Sequence, residues 1–339
     1  MDGHVGPSES YVRAREHIEV LMCYSDSTVA VLPEAYWEED FVVEMSEGEW
    51  ARLCLDLDLG NEALGQRLRY LTCSYNSLTS TLTIHSLPSP LFRYFSRFIQ
   101  EGFLDTRLHI PKSETRARII RASVNLKYLS FGGEYRGSKK TPDLAVSFRD
   151  VDGILKLKLV VQVGFSGGEG YSRLIEDTRM WLEGAGREVS TVVLVGVEES
   201  PSYQSPILDL EGEEIEQLEL SRQRRINFNA EGDFGPLTYK GLVWVGQITS
   251  VFMEIWKKDS QTGSAVGGDR MHLLPPASPP QLEFALREFT TVSLDEDVSV
   301  VFDWDDFTRG LKESIVELAE LRYHRAIKYL WRRRMDARD

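Results

Sequence analysis

Hydrophobic and polar positions alternate most regularly over residues 154–165. Leu155, Leu157, Leu159, Val161 and Val163 fall on one side there, and Lys156, Lys158, Val160, Gln162 and Gly164 on the other. A period of two is that of a β-strand, whose successive side chains point to opposite faces. The preceding Asp150-Val151-Asp152-Gly153 predicts a hairpin turn, because Asp-Gly supplies the positive φ such a turn requires, and so pairs this strand with another over 143–149. A further strand is predicted over 117–131, joined to it by the Gly-rich basic turn 132–137. After Ser166-Gly167-Gly168 the period changes to helical. Leu174, Thr178, Trp181 and Leu182 share one face of a helix over about 169–183, which Gly184 and Gly186 end. A second buried strand follows over 188–197, and strand character returns over 242–256.

Upstream, Ser89 as N-cap and Pro90 in the first turn open a helix. Leu91, Tyr94, Phe95, Phe98 and Ile99 recur on it, and Gly102 is its expected stop. The first 80 residues are weakly periodic. They predict short strands near 28–32 and 41–45 and a helix over 47–57, with no catalytic pattern, and residues 81–85 beyond them alternate. Residues 207–225 predict an exposed charged helix or mobile insert, and 260–280, with its Pro275–Pro280 run, a flexible loop. Strands near 281–302 precede a long terminal helix over 303–334.

Composition narrows the function classes. The chain has 339 residues, 42% hydrophobic and 27% charged, which excludes collagen-like and wholly disordered proteins. Three cysteines, none at CxxC spacing, exclude a zinc ribbon and a disulfide framework. The apolar runs are far short of the ~20 residues of a membrane span, and the N-terminus has no signal-peptide pattern. The expectation is an intracellular protein, nuclear or cytoplasmic, that does not meet a membrane. The net charge of −14 argues against indiscriminate coating of nucleic acid. That charge is uneven: residues 1–66 carry 15 acidic and 3 basic side chains, whereas 67–140 carry 4 acidic and 13 basic. Arg118, Arg136, Lys139 and Lys140 in the basic block are the candidates for following a phosphate backbone. The acidic block is a candidate shield for them. No HExxH, GxSxG or GxxxxGK[ST] pattern is present.

Several residues occur together in an informative order. Pro142-Asp143 opens one strand, Gln162-Val163-Gly164-Phe165-Ser166 ends its hairpin partner, Leu174, Asp177, Trp181 and Leu182 lie on the next helix, and an apolar strand follows. This order resembles the PD-(D/E)XK nuclease superfamily, and more narrowly a fungal group with a Glu-x-Gly-x-Ser variant of the motif. The segment around Phe252-Met253-Glu254-Ile255-Trp256 resembles that group's later strand. The resemblance implies a restriction-endonuclease-like α/β fold, a mixed sheet flanked by helices. Residues 81–339 would form this core, and 1–80 an acidic N-terminal extension. It also implies Mg²⁺ or Mn²⁺ held by Asp143, Gln162, the Val163 carbonyl and Glu101 from the first helix. A hard cation takes such oxygen ligands and activates water for attack on phosphorus. Gly164 stands where the family has its lysine. Lys158 shares that strand face about 13 Å back, Arg173 lies on the next helix, and Lys139 and Lys140 precede Asp143; any of these could supply the displaced cation, and the catalytic set reads Asp143, Gln162, Lys158 and Arg173. Two functions follow from the resemblance. One is a divergent metal-dependent nuclease acting on DNA or RNA. The other is a catalytically degenerate relative that binds nucleic acid, a protein partner or a second copy of itself.

Overall fold

The computed structural model describes residues 7–26, 40–59, 72–86, 89–109, 120–124, 126–149, 152–165, 170–186, 188–207, 210, 218, 226–274, 282–292 and 297–336. The chain divides into two compact units. One is built from residues 1–88, 127–141 and 323–339, the other from 89–126 and 142–322.

In the first unit, α1 (Glu9–Asp26) and α2 (Glu47–Asp56) accompany a three-stranded antiparallel sheet. Its strands β1 (Phe41–Glu44), β2 (Thr72–Asn76) and β3 (Thr81–His85) lie in the order β1-β3-β2. A capping box starts α2: the Ser46 hydroxyl accepts the Glu49 N–H, and the Glu49 carboxylate accepts the Ser46 N–H. The outer edge of β2 does not end the unit. Tyr75 and Lys139 exchange both backbone hydrogen bonds, at 2.8 and 2.9 Å, and Tyr128 and Lys140 exchange another pair. Residues 127–141 therefore belong with the N-terminal segment, because an unpaired strand edge must find donors and acceptors somewhere. One face of the sheet is apolar, with Val43, Cys73, Tyr75, Leu82 and Ile84 buried. Burial pushes the Cys73 thiol up to about 12, so this sulfur is a neutral core group.

Helix α1 buries Tyr11, Ala14, Ile18 and Leu21 on one face, with His17 on the same side stacked 4.4 Å from Phe41. Burial pushes the His17 imidazole down to about 4. In the unfolded chain it titrates near ~6.5, so the unfolded state binds more protons between those values. Stability is expected to fall as pH drops from about 6.5 toward 4. Urea melts at pH 7 and pH 4.5 test this, and His17→Phe should flatten the difference.

The second unit opens with α3 (Pro90–His109), followed by β4 (Ile120–Ser123), β5 (Leu144–Arg149), β6 (Leu155–Phe165), α4 (Gly170–Arg179) and β7 (Thr191–Ser200). A small sheet of β8 (Asn229–Ala230), β9 (Leu237–Tyr239) and β10 (Leu242–Val245) comes next, then β11 (Gln247–Lys258), β12 (Ala265–Gly267) and β13 (Met271–Leu274). The main sheet has seven strands in the order β12-β11-β7-β6-β5-β4, with β13 also paired to β11. Strands β6 and β7 are parallel, with α4 as their crossover, and the other pairings are antiparallel. The chain is thus an α/β protein with a mixed sheet. A long helix, α5 (Trp304–Asp336), closes it; residues up to Arg322 belong to the second unit and the rest to the first.

The strands β6 and β7 are buried on both faces, from Leu159 to Val163 and from Thr191 to Val197. Helix α3 covers one face: Phe92 meets Phe165 at 5.6 Å and Phe103 meets Phe148 at 6.0 Å. Helix α4 covers the other, where Leu174 joins Leu194 and Phe252. Helix α3 runs past Gly102 to His109. This glycine leaves room for the Phe302 ring, which a β-carbon would meet at 2.6 Å, and so acts in packing rather than as a stop. The expected strand over 117–131 is reduced among the described residues to β4. The expected strands near 281–302 are replaced by one bridge, Ala285 to Ser299, and by Phe284, Phe289 and Phe302, which gather around Phe103. The expected loop 260–280 supplies β12 and β13. Its turn is set by Asp259, whose Oδ1 accepts the N–H groups of Gln261 and Thr262 and the Thr262 hydroxyl. Most of 207–225, and 275–280, lie outside the described residues.

Candidate functional site

Gln162, Gly164 and Lys158 occupy the α4 face of β6, as their alternation requires. The register sets Leu194 of β7 beside Gln162, and Glu254 of β11 beside Leu194. Asp143 stands just before β5 and brackets Gln162. Its N–H donates to the Val161 carbonyl at 3.2 Å, and its Oδ2 accepts the Val163 N–H at 2.8 Å. The fold therefore brings Asp143, Gln162 and Val163 together at the end of the β5–β6 pair. The carboxylate continues the hydrogen-bond ladder where β5 has run out.

The amide of Gln162 is already engaged, and Glu101, Arg173 and Lys158 do not join it. Gln162 is buried, and its Nε2 donates to the Val161 carbonyl at 3.1 Å. Glu101 belongs to α3, on the opposite face of the sheet, where its exposed carboxylate accepts Arg97 Nε at 2.7 Å one turn away. Arg173 is exposed on α4 beside the buried Leu174, and Lys158 is half-buried. At Gly164, a β-carbon would meet both methyl groups of Leu174 at 3.1 Å. Leu174 packs against the bare backbone there and would have to give by a few tenths of an ångström for a side chain.

These residues supply few of the oxygen ligands that an Mg²⁺ ion would need. Among the described residues Asp143 is the one carboxylate placed at the strand end, and a backbone N–H already takes one of its oxygens. No group of three or more His, Cys, Asp or Glu side chains among the described residues is arranged to hold a metal ion. The carboxylate that the same face does bury is Glu254, about 10 Å from Gln162 by strand spacing. Its oxygens accept the Tyr171 hydroxyl at 2.8 and 2.9 Å, Trp256 Nε1 at 3.0 Å and Arg270 Nε at 2.8 Å. The Arg270 guanidinium lies 3.7 Å from the Phe252 ring centre and 4.7 Å from that of Tyr171. Burial and the Glu254 hydrogen bond push the Tyr171 phenol up, with Arg270 opposing them. Protein donors thus engage both carboxylate oxygens, and the cluster ties α4 to the β11–β13 edge. In sequence, Glu254 is one polar residue in an apolar strand; its partners at 171, 256 and 270 meet only through the fold.

The four expected phosphate contacts fall differently. Arg136 is exposed. Lys139 places its ammonium 5.4 Å from the Trp50 ring centre. Lys140 is buried, so its charge acts within the first unit rather than toward solvent. Arg118 lies outside the described residues, as does Ser166.

No family model, curated protein or solved structure matches the chain. Among the described residues, no helix is long and apolar enough to cross a membrane.

Proposed function

We propose that this chain is a catalytically degenerate relative of the PD-(D/E)XK nucleases that acts by binding nucleic acid or a protein partner. The element order α3-β4-β5-β6-α4-β7 supports the kinship, because it repeats the order of helix, strands, helix and strand on which the sequence resemblance rests. The observation that carries the loss of catalysis is Gly164 under Leu174. A missing lysine alone could be replaced from another direction, but here Leu174 also packs closely against the glycine that stands in its place. The second reading, a nuclease that cuts phosphodiesters with Mg²⁺ or Mn²⁺, draws support from Asp143 lying against Gln162 and Val163.

Incubation with single- and double-stranded DNA and RNA, with Mg²⁺ or Mn²⁺ and with EDTA, separates the two. The expected result is no metal-dependent cutting by folded protein. Asp143→Ala should instead lower stability by about 1–3 kcal/mol, because the Val163 N–H loses its acceptor. Metal-dependent cutting that disappears in Asp143→Ala would establish the nuclease. For the favoured reading, retention of labelled nucleic acid or a cellular protein should be unaffected by EDTA.

A further inference from the structure

The polar face of the small sheet in the first unit carries a serine, a histidine and an aspartate in one hydrogen-bonded chain. Ser74 Oγ lies 2.8 Å from His85 Nε2, and His85 Nδ1 lies 3.0 Å from Asp40 Oδ2. The other Asp40 oxygen accepts the Ser86 N–H at 2.8 Å. Strand register makes this arrangement. Phe41 pairs with Ile84, which sets Asp40 across from His85; His85 pairs with Thr72 and Ser74 with Thr83, which sets Ser74 on the diagonal.

The direction of each bond follows from the groups themselves. Burial alone would push the Asp40 carboxyl up, but His85, the Ser86 N–H and the Lys140 charge outweigh it and hold it below the ordinary range. An ionised carboxylate only accepts, so His85 Nδ1 is the donor in that bond. The neutral ring then has a lone pair at Nε2, and the Ser74 hydroxyl donates to it. That is the polarity of an activated nucleophile, a base and a group that orients the base. Access is graded: the side chains of His85 and Asp40 are 25% and 35% exposed, while Ser74 lies 5% exposed beneath them. A hydroxyl this buried favours a small acyl group.

We propose that Ser74, His85 and Asp40 form an acyl-transfer site for short carboxylic esters. Ser74 Oγ adds to the ester carbonyl carbon while its proton passes to His85 Nε2. The bond to the alcohol oxygen breaks, and His85 returns the proton to the departing alcohol. Water then attacks the acyl-serine through the same base, releasing the carboxylic acid and free Ser74. Asp40 is a positioning residue that holds the tautomer.

The test treats the full chain with a small fluorophosphonate and with p-nitrophenyl acetate, and maps adducts by mass spectrometry. A single adduct on Ser74 is expected, absent in Ser74→Ala and formed at least about a hundredfold more slowly in His85→Gln. Asp40→Asn should slow it comparably and displace its pH profile, which mere support of the strand would not do. Far-ultraviolet circular dichroism and melting of each variant confirm that the fold is kept. An adduct at Ser74 that forms as fast in His85→Gln, or no adduct at Ser74 in folded wild-type protein, overturns the proposal.

Discussion

Replacing Arg322 by alanine is expected to destabilise the second unit by about 3–5 kcal/mol, which for a unit of this size lowers its melting temperature by roughly 10 °C. Arg322 is 1% exposed. Its two terminal nitrogens donate to the two Glu199 oxygens at 2.7 and 2.9 Å, one of them also to the Trp244 carbonyl at 3.0 Å, and the guanidinium lies 3.9 Å from the Tyr203 ring centre. Truncation leaves the Glu199 carboxylate buried without its counter-charge, which costs far more than the net worth of the pair. Calorimetry on Arg322→Ala and on the double variant Arg322→Met, Glu199→Leu separates the two quantities. The double variant should recover most of the loss. A remainder should persist, because the Gly246 N–H, now bonded to Glu199 at 2.7 Å, loses its acceptor. A double variant as unstable as the single one would contradict the assignment.

The second large effect is expected at Gly196, the cross-strand partner of Phe252. The Phe252 ring lies flat in the space a β-carbon would take, with Arg270 stacked on it and Leu174 and Leu194 around it. Gly196→Ala must displace a fully buried ring, and should cost about 1–3 kcal/mol or more. Phe252→Leu alone also destabilises, but the two together should cost less than their sum, since the smaller residue leaves room for the methyl group. Denaturant melts of the four proteins read this coupling directly. Strict additivity would show that the ring does not sit over the glycine.

Much of the second unit was legible because its order is local. The alternation around Val161, the Asp152-Gly153 turn, where Gly153 has a φ of +74°, and the Leu174–Trp181–Leu182 face all reappear as β6, its hairpin and α4. Three features were hidden for physical reasons. Helix α1 spends a core position on Ala14 and another on His17, which blurs its apolar stripe. Strands β10 and β11 read as one run, yet Gly246 separates them because a side chain there would strike the Pro201 and Ser200 carbonyls, at 2.6 and 3.0 Å. The candidate site was legible only in part. Gln162 and Asp143 could be placed together from hairpin pairing alone, whereas Glu101 required knowledge of which sheet face α3 covers. Asp40, Ser74 and His85 left no spacing to notice, since only the order β1-β3-β2 makes them neighbours.

The three-piece make-up of the first unit bears on how the protein is born. Residues 1–88 are translated before the strand partner of β2, which comes with 127–141, and the third piece, 323–339, follows later still. At about 5–20 residues per second, tens of seconds separate the first piece from the last. Until residues 127–141 emerge, the nascent N-terminal sheet holds an open edge at Tyr75, and chaperone occupancy in that early window should concentrate on the first 88 residues.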